Sequence, residues 1–344
     1  MPELPEVETV RRGLVPLVGS RVVAVEVLRD RSVRHQAGGA AAFAAALMGQ
    51  SVLEVARRGK FLWLPLGSPD DSADAGECGC VEFASVPRQA LLAHLGMSGQ
   101  LRLPISSPGT AGHSVADLAQ LAAPADAANV SGVTPHDRPD QHPHLRVRVE
   151  LETPTGVTQP LEFIDQRTFG YLAVVPLLPT PDGAPGGTGT RLPLLPDRVQ
   201  HIGRDLLDPA CNAADAARRL KTKKSAIKRL LLDQTIVSGI GNIYADEALW
   251  QAKIHPELPA NTLTSQQLMD IIDAAKQVIG NSLQAGGTSF DSLYVDVAGN
   301  PGEYENSLVV YGRENLPCLR CGSAIIRRKF MNRSSFYCAT CQVY

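Results

Sequence analysis

Met1-Pro2-Glu3-Leu4-Pro5-Glu6-Val7-Glu8 opens the chain and sets how the rest of it is read. Removal of the initiator leaves Pro2 with a free secondary amine. An α-amino group titrates at ~7.7–8.0 against ~10.4 for lysine, so at neutral pH roughly a tenth of it is uncharged, compared with about one lysine in two thousand. Such an amine attacks the aldehyde carbon of a sugar to give an iminium ion, whose positive charge favours bond breaking by elimination. Proline is more basic than a primary α-amine, so the fold has to depress its pKa by burial or nearby cations. Glu3, one residue away, is placed to give a proton to the sugar as its ring opens. Pro5 is tolerated in a first helical turn, and Val7, Val10 and Leu14 repeat at helical spacing, so Glu3, Glu6 and Glu8 stand where a helix begins. By spacing alone these acids do no more than complement the helix dipole.

Downstream the pattern turns to strands. Arg21 to Leu28 alternates apolar and polar residues, and Gly39 to Leu47 is an Ala-rich helix. Ser51 to Ala56, Phe61 to Pro65, Ala90 to Leu95, Gln100 to Leu103, Leu145 to Leu151, Leu161 to Ile164 and Leu172 to Val175 are short β-like runs. Many short strands ahead of any long helix imply a β-sandwich or barrel with the helices kept to one side. Gly67 to Arg88 and Pro104 to Gln141 are polar, Pro- and Gly-rich insertions, and Pro176 to Pro196 has linker composition.

Beyond it the period is helical. Asn212 to Leu220 and Ser225 to Leu232 are short helices, and Ser238-Gly239-Ile240-Gly241-Asn242-Ile243-Tyr244 makes a glycine-hinged turn into a helix reaching about Ala252. Thr264 to Gln284 carries a Thr264/Gln267 capping box and an apolar stripe, and Gly286 stops it. The expected architecture is α+β and multidomain: a β-sandwich with flanking helices at 1–175, a linker at 176–197, a helix-two-turn-helix domain at 198–305 and a zinc finger at 306–344.

Cys318-x2-Cys321, sixteen residues, then Cys338-x2-Cys341 is the spacing of two knuckles around one structural zinc. Four thiolates leave the ion no open position, so it holds the fold and takes no part in chemistry. Arg333 falls near the tip of the hairpin between the knuckles. Cys78, Cys80 and Cys211 are spare thiols. A net charge of −2 means that any nucleic-acid partner is met by local patches. Arg218 to Arg229 and Arg313 to the end supply two such basic runs. No stretch is apolar enough to span a membrane and the acidic start is unlike a signal peptide, which points to an intracellular, cytoplasmic protein.

Taken together the segments resemble one family, the formamidopyrimidine-DNA glycosylases. The resemblance rests on the opening Pro2 to Glu8, Arg57-Arg58-Gly59-Lys60, His94-Leu95-Gly96-Met97-Ser98-Gly99, Asp165-Gln166-Arg167-Thr168-Phe169-Gly170, Gly239 to Ala245 and the four-cysteine finger, in that order. It implies a monomeric base-excision repair enzyme that binds damaged double-stranded DNA and removes oxidised purines. A Schiff base at Pro2 is followed by β,δ-elimination at the abasic site. By the same resemblance Glu3 is the proton donor, Lys60 assists β-elimination and Arg333 serves the second elimination. Met97, Arg167 and Phe169 would fill the hole left by the everted base. Asn242 and neighbouring amides would hold flanking phosphates, Lys223, Lys224 and Lys228 would track the backbone, and His142 would contact DNA.

Read singly, Met97 is an ordinary core filler, Phe169 a strand anchor and Lys60 a snorkelling edge residue. Gln166 and Thr168 replace a proline and an arginine that many members carry, Asn332 stands where glutamine or glycine is common, and the second insertion abuts His142. Leu4 matches this branch, whereas the endonuclease VIII branch, acting on oxidised pyrimidines, usually has glycine there. A non-catalytic zinc-dependent DNA-binding protein would have no use for a free Pro2. A proline tautomerase would explain Pro2 alone.

Overall fold

A computed structural model describes residues 2–67, 86–104, 142–288 and 295–344. Most of both insertions, with Cys78 and Cys80, lies outside the described residues. Helix α1 spans Leu4–Leu14, with Pro5 in its first turn, and α2 spans Gly39–Leu47. Among the described residues ten strands of this lobe follow the order of the chain: β1 Arg21–Val27, β2 Ser51–Val52, β3 Ala56–Arg58, β4 Phe61–Gly67, β5 Gln89–His94, β6 Gly99–Arg102, β7 Leu145–Glu152, β8 Thr158–Asp165, β9 Tyr171–Pro179 and β10 Leu194–Pro196. They pair in the order β10-β9-β5-β4-β2-β1-β7-β8-β6, with β3 also on β4, so the sandwich is one continuous sheet. Its two arms share a core, in which Val147, Val149 and Leu161 cluster with Leu62, Leu64, Leu91 and Val174.

Two expectations are corrected here. Ser51 to Ala56 is not one strand, because residues 53–55 leave the ladder. They lie opposite Pro65, which accepts from the Leu53 N–H but has none of its own to return. Pro176 to Pro196 is not a free linker either. Leu194–Pro196 pairs with Leu177–Pro179, and the Arg57 and Thr188 backbones exchange both hydrogen bonds at 2.9 Å.

The helical lobe contains α3 Ala213–Lys221, α4 Ile227–Leu231, α5 Asn242–Gln251 and α6 Ser265–Gln284. The capping box on α6 is formed: Thr264 Oγ1 accepts from the Gln267 N–H at 3.1 Å, and Gln267 Oε1 accepts from the Thr264 N–H at 2.8 Å. Helix α4 is shorter than expected. The Ile227 and Lys228 N–H groups bond to the Leu258 and Pro256 carbonyls, which holds the segment before them extended. Strands β11 Ile326–Phe330 and β12 Arg333–Tyr337 make the terminal hairpin, closed by the pair Phe330 and Arg333.

Helix α1 joins the lobes. Leu4 is buried in the helical core, whereas Val7, Val10 and Leu14 of the same helix are buried in the sheet core. Three and four residues along a helix return to one face, so the shift of partner marks where that face passes from one lobe to the other. Arg57, wholly buried, reinforces the joint: its Nε donates to Glu8 Oε2 at 2.9 Å and its Nη1 to Asp205 Oδ2 at 2.7 Å.

Candidate active site and nucleic-acid interface

The turn before α5 gathers the opening residues. Gly239 has φ +91, and a Cβ there would stand 2.5 Å from Leu4 Cδ1; a Cβ on Gly241 would stand 2.1 Å from the Glu3 carboxyl carbon. That room lets the Leu4 N–H reach the Gly239 carbonyl at 3.1 Å. It also lets the Glu3 carboxylate accept from the Ile243 N–H at 3.0 Å and the Tyr244 N–H at 3.4 Å. Glu3 therefore caps α5 from another domain. Burial pushes its carboxyl pKa up, against the opposing pull of the Lys60 cation. Glu6 does structural work beside it, accepting from the Glu3 N–H, the Tyr244 hydroxyl and both donors of Thr288.

Lys60 follows Gly59, whose φ of +57 and close approach to Ser238 require glycine. The Gly59 N–H donates to Asp205 Oδ2 at 2.9 Å, and Lys60 Nζ donates to the Ile240 carbonyl at 2.9 Å. Thus the 239–244 turn receives Glu3 from one side and Lys60 from the other. Burial holds the Lys60 ammonium below its ordinary pKa, and the nearby Arg333 cation lowers it further. His94, a residue with no expected role of its own, is pushed down to about 4 by burial and by Lys60, and its Nδ1 accepts from the Gly96 N–H. Only the fold could reveal that placement, since 34 residues of sequence separate the two.

Glu3, Met97, Asn242, Tyr311 and Arg333 line one cleft of about 680 Å³ between the sheet lobe and the hairpin. Pro2 is buried next to it, on a narrower pocket with Glu6, Leu95, Gly99 and Thr288. A second groove of about 620 Å³ carries Lys223, Arg229 and again Arg333, so the hairpin tip belongs to both. Lys224 is exposed beside Lys223. Arg167 and Phe169 are exposed in the β8–β9 loop, the guanidinium 5.7 Å from the ring centre. His142 is largely exposed just before β7, and the partial desolvation that remains, with the neighbouring His144 and Arg102, lowers its pKa.

Lys228 and the α5 amides are placed differently from expectation. Lys228 is fully buried, paired with Asp246 at 2.7 Å, and donates to the Ser334 carbonyl at 3.3 Å, so it faces the finger and is shut off from the surface. Charge runs hide such cases, because sequence does not say which lysine of a run turns inward. The Ile243 and Tyr244 amides are committed to Glu3, which leaves Asn242 to act through its side chain. That side chain donates to the Ser334 carbonyl at 2.9 Å, while its buried Oδ1 has no protein donor among the described residues. Burial lifts the Asp246 carboxyl to about 6 despite Lys228. Removing the partner of a buried charge is costly, so Asp246→Asn should lower stability by about 3–5 kcal/mol, read as a fall in thermal midpoint at pH 7.5. An unchanged midpoint would show that Lys228 finds other compensation.

The Sγ atoms of Cys318, Cys321, Cys338 and Cys341 lie within 4.8 Å of one another. Thiolates 2.3 Å from a tetrahedral zinc stand roughly 3.8 Å apart, so this set fits one four-sulfur ion. The Trp250 indole N–H donates to Cys318 Sγ at 3.3 Å, an outer contact that ties the site to α5.

The lobes, the cleft and the cysteine cluster define a zinc-finger protein of the helix-two-turn-helix class. Residues 1–172 match the formamidopyrimidine-DNA glycosylase N-terminal domain, 202–293 the formamidopyrimidine-DNA glycosylase H2TH domain, and 315–343 the zinc finger found in FPG and IleRS. Curated relatives named formamidopyrimidine-DNA glycosylase include that of Leifsonia xyli, 44% identical over 99% of both chains, and that of Thermobifida fusca, 45% identical over 99% of this chain and 97% of that one. Among solved structures, a Lactococcus lactis Fpg in complex with abasic-site DNA aligns at TM-score 0.69 and 26% identity, covering 99% of this chain and 100% of the other. The MutM (FPG) protein of Thermus thermophilus aligns at 0.68 and 29%, covering 99% and 98%. The chain belongs to the formamidopyrimidine-DNA glycosylase family.

Proposed function

We infer that this chain is a base-excision repair glycosylase with abasic-site lyase activity, acting on oxidised purines in duplex DNA. The observation that carries the chemistry is the meeting of Glu3 and Lys60 on the 239–244 turn, with Pro2 one residue from Glu3 and buried on the neighbouring narrow pocket. In our reading the uncharged Pro2 amine attacks the anomeric carbon, Glu3 gives the proton that lets the base depart or the ring open, and the resulting iminium acidifies the neighbouring carbon. Lys60, its charge weakened by burial, assists removal of that proton. Arg333, reaching in from the hairpin tip, meets the phosphate that leaves next. Asn242, Lys223 and Lys224 hold the backbone, and Met97, Arg167 and Phe169 occupy the vacated space in the stack. A DNA substrate and a four-cysteine set suited to zinc support a site of work beside the chromosome in a reducing compartment.

Borohydride reduction in the presence of duplex carrying 8-oxoguanine opposite cytosine should give a covalent adduct at residue 2. A variant with a residue added before Pro2 should lose it. Undiminished trapping on the blocked protein would move the nucleophile to Lys60 or another lysine. Excision of thymine glycol in preference to 8-oxoguanine would favour the endonuclease VIII reading.

A further inference from the structure

Arg167 and Phe169 lie in the loop from β8 to β9, and Met97 lies in the turn from β5 to β6. One buried carboxylate addresses both. Asp165 Oδ1 accepts from the Ser98 hydroxyl at 2.5 Å and from the Arg167 N–H at 3.2 Å, while Oδ2 accepts from the Gly170 N–H at 2.7 Å. Ser98 Oγ in turn accepts from the same Arg167 N–H at 3.2 Å. From the outer side Arg34 forks onto the loop, donating from Nη1 to the Gly170 carbonyl at 2.7 Å and from Nη2 to the Phe169 carbonyl at 2.9 Å. The two segments also interlock, since a Cβ on Gly96 would stand 2.4 Å from the Gly170 nitrogen. Between Arg167 and Phe169, Thr168 sits at φ 54. A β-branched residue adopts that conformation only where its surroundings hold it there.

We propose that Asp165 and Arg34 are positioning residues that lock the Met97 turn and the Arg167–Phe169 loop into one rigid wedge, so that the three side chains enter the base stack together. The inference rests on the assignment of those three residues as the wedge. Opening a stack costs energy that is recovered only if the inserted groups are already in place, and ordering three separate side chains on entry would add to the barrier. Arg34 suits the task because its rigid planar fork meets two successive carbonyls in one fixed geometry, whereas an ammonium on a flexible stem fixes no such direction.

The test uses full-length, zinc-loaded protein and two substrates: a duplex with 8-oxoguanine opposite cytosine and 2-aminopurine beside it, and a single strand with a preformed abasic site. Arg34 is exposed, so Arg34→Ala spares the core. Misplacing a positioned group slows a reaction by about tenfold or more; Arg34→Ala should therefore slow both the fluorescence rise and duplex excision to that extent, leaving single-strand cleavage at the wild-type rate. Asp165→Asn should act in the same direction, and Arg34→Lys should fail to rescue. A parallel loss on the single strand, or full rescue by Arg34→Lys, would overturn the proposal, the second by showing that charge alone matters. Phe169→Ala separates the premise from the inference. If it leaves the fluorescence rise intact, the wedge assignment fails and the proposal with it; if it slows the rise while Arg34→Ala and Asp165→Asn do not, the proposal alone fails.

Discussion

Glu3→Gln should reduce excision of 8-oxoguanine from duplex by about 10²–10⁴-fold, the usual worth of a positioned general acid or base, while lowering strand cleavage at a preformed abasic site far less. Glutamine keeps one acceptor oxygen for the Ile243 N–H and gives up only the longer contact from the Tyr244 N–H, so the change removes the titratable proton at little cost in geometry. The asymmetry follows from the chemistry: an abasic site has already lost its base and presents an aldehyde that the Pro2 amine can attack. Burial raises the Glu3 pKa, so the protonated donor persists above the ordinary carboxyl range, and the wild-type excision profile should fall on its alkaline side through that raised value. In the glutamine variant the alkaline limb should vanish. The folded state holds this proton more tightly than the unfolded chain, so the stability it contributes is complete below the unfolded pKa and lost as pH rises through the folded one. A permanently neutral glutamine escapes that loss, and the thermal midpoint at pH 8 should not drop. Equal losses on both substrates, or wild-type excision by the variant, would remove Glu3 from the donor role.

Much of this was legible from residue order because local rules and tertiary demands agree. The Thr264/Gln267 box marks the start of α6 and Pro5 the start of α1, and both form as their side-chain chemistry requires. Where the two diverge, the sequence misleads. The Pro176 to Pro196 stretch has the composition of a flexible connector, yet its glycines serve close approach: a Cβ on Gly186 would strike the Leu194 carbonyl at 2.0 Å and one on Gly187 the Arg57 carbonyl at 2.2 Å. Glycine is needed for either purpose, and composition cannot tell them apart. Lys228 fails for a related reason, since Lys223, Lys224 and Arg229 of the same run are exposed while Asp246 draws it inward. Arg34 was invisible because its carbonyl partners lie 135 and 136 residues away, beyond any periodicity. What a sequence reading recovers well is chemistry carried by one contiguous stretch; what it misses is the support that distant residues give that stretch.

Removing the zinc tests how far such support extends. Chelation, or Cys338→Ser, should release about one zinc per chain and abolish tight DNA binding. The finger's own apolar core is small, consisting of Val310, Ile325 and Phe336 around Cys318 and Cys338, whereas zinc binding to such modules is worth about 10–16 kcal/mol, enough to decide whether they fold. Loss of the hairpin withdraws Arg333 from the cleft, but the damage should spread further. Asp246 would lose the Ser335 hydroxyl and the Phe336 N–H, Asn242 and Lys228 would both lose the Ser334 carbonyl, and the Gln342 side chain would release the Ile254 carbonyl. Each of those partners is in α4, α5 or the turn after α5. Hydrogen exchange on the metal-free protein should therefore show protection falling in α4 and α5 as well as in β11 and β12, with the β7–β8 ladder unaffected. Intact binding without metal would refute the structural role of the ion. Loss of binding with α4 and α5 still protected would confine that role to the hairpin, and would mean that the buried Lys228–Asp246 pair holds the helices without help from the finger.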